Sequence, residues 1–196
     1  MKGVDFLLTG TVAALALIGT QAGPPTGPVT GPFSSEELQQ FRTLAPVDTH
    51  THVFSADPAF TAMLKKLNLH TLDILVVDDM ETGHSDLEKQ RREAMAVVHA
   101  SDGFAVLCTS FDPFSFHQSG YAQAVIHGLD QDFANGVIAV KLWKNVGMEI
   151  KEANGRYLMP DNPVFEPIYQ DIEAHNKTLV AHVADPDSAW QPPNPA

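Results

Sequence analysis

The chain has a single cysteine, Cys108, in 196 residues. It can form no internal disulfide and no cysteine zinc cage, so any metal must be held by histidine and carboxylate. Basic residues are also scarce: Lys and Arg number 12 against 24 Asp and Glu, a formal net charge of −12, and no basic block occurs. Such a surface repels nucleic acid and anionic membrane, which excludes both as partners. No apolar run is long enough to span a bilayer with comfort, so stable membrane insertion is not expected. Internal repeats are absent, and no glycine-rich phosphate loop follows the first strand signal. The composition, 44% hydrophobic and 18% charged, is that of a globular chain of one-domain size.

The N-terminus carries an export pattern. Lys2 supplies positive charge, residues 6–18 are mostly apolar, and Thr20-Gln21-Ala22 offers small residues at cleavage spacing. This predicts a signal peptide over 1–22 and an exported, periplasmic or extracellular, protein. Residues 23–33, rich in proline and glycine, predict a flexible lead-in, leaving 34–196 as the folded domain.

Within that domain, periodicity alternates between strand and helix. Ser34-x-x-Glu37 is a capping box followed by Leu38, Phe41 and Leu44 at helical spacing, and Pro46 ends that helix. Asp57-Pro58 opens a second helix with Phe60, Met63, Leu64 and Leu67 as its stripe. A strand at 72–77 reads as buried on both faces. Ser85-x-x-Glu88 predicts the cap of a third helix, with Leu87, Ala94, Met95 and Val98 inward. A strand over 104–109, a helix over 121–133 ended by Gly136, and a strand over 137–143 follow. Asn154-Gly155 predicts a small hairpin within 148–159, Asn162-Pro163 opens another helix, and a fifth strand runs over 179–183. Repeated strand and helix predict an α/β fold with a parallel sheet, with a doubly wound sheet and a (β/α)8 barrel both open on pattern.

The stretch with chemistry is Val47-Asp48-Thr49-His50-Thr51-His52-Val53-Phe54, which reads as a short buried strand. Alternation puts Asp48, His50 and His52 on one face. Ionisable groups on an apolar strand are costly to bury without compensation, and a divalent metal gripped by two neutral imidazoles supplies it. A polar face turned to solvent is the other reading of the same spacing. Functional side chains of a barrel sit at the C-terminal ends of its strands, where His50, His52 and, on the fifth strand, His182 fall.

These residues resemble the amidohydrolase superfamily, and more closely its amidohydrolase-related branch, which includes decarboxylases of the aminocarboxymuconate semialdehyde type. The likeness rests on 47–53, on Gly136-Val137-Ile138-Ala139-Val140-Lys141-Leu142-Trp143, on Pro167-Ile168-Tyr169 and on Leu179-Val180-Ala181-His182. It implies a (β/α)8 TIM-like barrel of the metal-dependent hydrolase type, with about five βα units present in this chain. It also implies a divalent metal at the mouth, zinc or else manganese, held by His50 and His52 from the first strand and His182 from the fifth. The family's later-strand histidine and its proton-shuttling aspartate have no counterpart here, so the catalytic base is expected beyond the end of this chain. Five strands do not close a barrel, which predicts either the N-terminal part of a longer protein or a short chain that pairs with another copy.

Under this resemblance a small-molecule substrate is hydrolysed at a C–N or C–O bond through metal-activated water. The alternatives are metal-dependent decarboxylation, a metal-free lactonase, and a catalytically incomplete binding module. Asp48 is expected to fix an imidazole tautomer, Lys141 to contact a substrate carboxylate or serve structurally, and Trp143 to wall the pocket. The remaining histidines, including His70, His127 and His175, are expected to be exposed or individually satisfied.

Overall fold

A computed structural model of the chain describes residues 33–77 and 86–182. The export pattern at 1–22, the lead-in up to residue 32, and Ser85 lie outside the described residues. Five strands, β1 (Val47–Thr51), β2 (His70–Ile74), β3 (Ala105–Ser110), β4 (Ala139–Leu142) and β5 (Thr178–Ala181), alternate with helices. The helices are α1 (Ser35–Thr43), α2 (Pro58–Leu67), α3 (Leu87–Ala100), α4 (Tyr121–Ala134), the short α5 (Asn145–Met148) and α6 (Glu166–Ala174).

Local chemistry sets most helix ends. At α1 the Ser34 hydroxyl accepts from Glu37 N–H at 3.2 Å while the Glu37 carboxylate accepts from Ser34 N–H at 2.7 Å, a complete capping box. Asp57 caps α2 through Ala59 N–H, with Pro58 in the first turn and Asn68 closing the helix in the left-handed region. The cap of α3 is Asp86, whose carboxylate accepts from Lys89 N–H at 2.8 Å, so the start lies one residue beyond the predicted box. After α4 the chain turns at Gly136 with φ +91°, a conformation that a side chain would strain. The expected hairpin is present: Lys151 and Tyr157 form an antiparallel bridge around Asn154-Gly155.

All strand pairs are parallel and the order is β1-β2-β3-β4-β5. A doubly wound sheet reverses order at a switch point, whereas sequential order winds one way, as in a barrel. The sheet also curls. The ring of His52, just past β1, lies 5.7 Å from that of Trp143, just past β4. A flat sheet would hold backbones three strands apart at about 14 Å. The described chain is thus an α/β half-barrel, compatible with part of a TIM-like fold.

Register partners in a parallel sheet share a face, which sorts the interior. Ile74, Cys108 and Ala139 are successive partners and are buried together, with Leu72, Trp143 and Val180 packed on them. This is the concave side. The convex side carries Leu107 and Val140 against helix residues Leu129, Phe133, Phe165, Ile168 and Ile172 in one cluster. Burying each such side chain stabilises the fold by roughly 1.5–3 kcal/mol, and this layer holds the helices to the sheet. A buried polar tie crosses it: Asp132 of α4 accepts from Thr109 of β3 and pairs with Arg91 Nε of α3 at 2.7 Å.

One expectation is corrected here. The histidine strand is not buried: β1 is a sheet edge, and Val47 is 62% exposed. The residues at helical spacing on α1 share a face that no partner covers, with Leu44 75% exposed. Among the described residues no helix is long and apolar enough to cross a membrane.

Candidate functional site

The site is built where β1 leaves the sheet. Asp48 pairs with Thr71 and Thr51 with Asp73, so three steps along β1 match two along β2, and the strand bulges between them. A bulge leaves one residue without its ladder partner and re-aims the side chains that follow. The Asp48 carboxylate compensates locally, accepting from His50 N–H at 3.0 Å in an Asx turn. Thr71 and Asp73 share one face of β2, which puts Asp48 and Thr51 on that face and His52 on the other. The expectation that Asp48 and His52 share a face is therefore corrected: the extra residue breaks the alternation. Asp48 is exposed and braces the backbone of the bulge.

His52 turns to the concave side. Its Nδ1 lies 2.8 Å from the carbonyl oxygen of Ile74. A carbonyl only accepts, so Nδ1 carries the proton and Nε2 carries the lone pair. The His50 ring stands edge-on to it with centroids 5.0 Å apart. The second wall is Trp143, whose indole N–H donates to Leu75 carbonyl at 2.8 Å and whose ring has the Lys141 ammonium 5.6 Å from its centroid. Lys141 is 4% exposed, and burial lowers its pKa from the ordinary lysine range.

His182 follows β5, its N–H donating to Leu142 carbonyl at 3.1 Å and extending the β4–β5 ladder. Its position is legible through His50, whose pKa is held low first by burial and then by the charges of His52, Lys141 and His182, with Asp48 opposing. The structure thus brings His50, His52, Lys141 and His182 into one electrostatic neighbourhood, with Trp143 packed against His52. It does not gather the three imidazoles tightly: among the described residues they do not place three ligand atoms within 4.8 Å of one another. Cys108 beneath them is fully buried and its thiol is pushed up to about 12 by burial, so it is neither a ligand nor a nucleophile at neutral pH.

Sequence reasoning missed two features. The first is Asp73, embedded in a run read as buried on both faces. It is 1% exposed, its Oδ1 accepts from Val53 N–H at 2.9 Å, and its Oδ2 has no hydrogen-bond partner. Burial pushes its pKa up to about 6 against the opposing pull of the Val53 N–H bond, of His52 and of the Ile74 backbone N–H. The second is on the helical shell, where Asp130 of α4 and Asp171 and His175 of α6 bring one ligand atom each within 4.8 Å and could hold a metal. His175 was expected to stand alone, yet its Nε2 lies 3.4 Å from Asp130 and its Nδ1 3.0 Å from the Asp171 carbonyl. The spacing of Asp171 and His175, one helical turn, was the available signal. Two others stand as expected: His70 stacks on Phe104, and His127 Nε2 lies 3.0 Å from Gln131 Nε2.

A cavity of about 380 Å³ opens away from the imidazoles, between α3, the loop after β3 and the start of α4. Arg91, Ser115, Gln118 and Tyr121 are among its lining residues.

No protein-family model matches this chain, and no curated protein or solved structure matches it significantly.

Proposed function

We propose that the chain is part of a metal-dependent hydrolase of the amidohydrolase type, with the concave mouth of the half-barrel as its active site. His50, His52 and His182 hold a divalent ion, zinc before manganese, because an all-imidazole donor set suits borderline-soft ions. The observation that carries this reading is the 2.8 Å contact between His52 Nδ1 and Ile74 carbonyl. Metal-binding imidazoles are held this way, one nitrogen fixed by a carbonyl and the other left as donor. The lowered pKa of His50 points the same way, since only neutral imidazole ligates. Fit is complete in donor chemistry and incomplete in spacing: the three imidazoles must draw together to close the set.

Such an ion supplies Lewis acidity, polarising a carbonyl and acidifying water. The protein's own groups orient the substrate. Lys141 offers a cation beside the imidazoles to a carboxylate or carbonyl oxygen of a small molecule, and the Trp143 ring provides an apolar wall. Zinc titration of the 196-residue chain checks the reading. One equivalent bound in the parent, lost in His52→Ala and in His182→Ala, and kept in Asp130→Ala/His175→Ala is expected. Zinc that follows Asp130 and His175 instead removes it. Where the chain turns over any member of a panel of amides, esters and lactones, that turnover is expected to vanish in the same two single variants.

A second reading, a module that binds an ion without turnover, is favoured by one observation. Both carboxylates nearest the imidazoles are engaged, Asp48 by His50 N–H and Asp73 by Val53 N–H. Zinc binding without turnover of any panel member selects it.

A further inference from the structure

We infer that Asp73 is the positioning residue of this site: its carboxylate clamps the end of β1 and thereby sets the tautomer and placement of the His52 imidazole. The strand ladder cannot do this. Register with β2 slips between Asp48 and Thr51, and Thr51 is the last residue of β1. Beyond it, two bonds to consecutive residues of β2 take over. Val53 N–H donates to Asp73 Oδ1 at 2.9 Å, and His52 Nδ1–H donates to Ile74 carbonyl at 2.8 Å. The backbone on one side of His52 and its ring are thus tied to adjacent points of one strand. Release of the first bond frees the chain that carries the ring of the second.

The placement of Asp73 argues for such a role. It is 1% exposed and its Oδ2 has no hydrogen-bond partner, an arrangement that opposes folding where an apolar residue would pack without penalty. The bond to Val53 is what that side chain provides. Leu72 and Ile74, its apolar neighbours, pack on the concave side, and Thr71, on the face of Asp73, bonds Thr51. Polar groups of β2 thus hold both residues that flank His52, Thr51 and Val53.

The clamp stands without the metal reading; only its effect on affinity rests on that reading. The test is ¹⁵N NMR of the His52 ring in the metal-free 196-residue chain, with zinc titration alongside, for the parent, Asp73→Ala and Asp73→Asn. The parent is expected to show the Nδ1–H form. Asp73→Ala is expected to shift His52 toward the Nε2–H form that free imidazole prefers and to weaken zinc roughly 10–100-fold. Asp73→Asn, whose amide oxygen can still accept from Val53 N–H, is expected to restore the Nδ1–H form and to bind zinc within about threefold of the parent. An unchanged His52 tautomer in Asp73→Ala overturns the inference. A tautomer that responds in a parent that binds no zinc upholds the clamp and rejects the metal. Should Asp73→Ala not fold, Asp73→Ser replaces it, its hydroxyl being too short to reach Val53.

Discussion

Replacing Asp73 with Asn should remove a pH dependence that the parent shows between about pH 4 and 6. The carboxyl is 1% exposed and its pKa rises from an ordinary 3.8 to about 6 because burial disfavours the charged form. The folded state therefore binds more protons than the unfolded state between these two values, and stability falls as pH rises through that window. The contribution is fully present below about pH 3.8, is lost by the time pH passes about 6, and is flat above it. A rise from 3.8 to about 6 corresponds to about 3 kcal/mol.

Urea unfolding of parent and Asp73→Asn in EDTA, at half-unit steps from pH 4 to pH 7, isolates this term. Other titrating groups, including Asp171 with its raised pKa and Glu37 with its lowered one, are shared and cancel in the difference. Relative to the variant, the parent should lose about 3 kcal/mol across the window with equal m-values in both proteins. A difference constant to about 0.5 kcal/mol refutes the placement of Asp73 as a buried, one-sidedly bonded acid.

Arg91→Met should destabilise the fold by about 3–5 kcal/mol in the same assay, because it strands the buried Asp132, while Arg91→Met/Asp132→Leu should recover most of that loss. Cys108 should resist a thiol reagent in the native chain and react at once in urea; native reactivity would mean that the concave floor is open. Phe165→Ala, at 0% exposure between β-sheet and helices, should cost about 3–5 kcal/mol with the His52 ring signals unmoved, and a shift in those signals would show that convex packing reaches the site.

What the sequence made legible was local, and what it hid was relational. The Ser34–Glu37 box and the Asp57-Pro58 start act over three residues or fewer, and both helices begin there. The parallel pairing follows from strand and helix alternation, so an α/β parallel sheet was legible as a class of fold, while the choice between a doubly wound sheet and a barrel was open on pattern. Burial of β1 was not, because five polar and β-branched residues read alike at an edge and in a core. The bulge was invisible for a related reason: alternation is a property of a strand with its partner, and His50 N–H turns to Asp48 only when β2 fails to meet it. Asp73 was concealed by its neighbours, since one carboxylate among Leu72, Ile74 and Leu75 barely lowers the hydropathy of the run. Asp130 needed the packing of α4 on α6 to find His175.

Two histidine-bearing sets compete for the metal in this proposal, and their electrostatics separate them. On the helical shell, His175 already lies between carboxylates, its Nε2 3.4 Å from Asp130 and its Nδ1 3.5 Å from Asp171. Both carboxylates already face that imidazole, so an ion entering there must displace contacts that exist without it. At the concave mouth the balance is opposite. Burial and the charges of His52, Lys141 and His182 lower the pKa of His50, and the His52 Nδ1–H donates to the Ile74 carbonyl. A lowered His50 pKa leaves that imidazole's lone pair open to an ion at lower pH. Zinc should therefore compete best with protons at the mouth, and lowering pH from 7.5 to 6 should weaken binding there less than at a site of three isolated imidazoles.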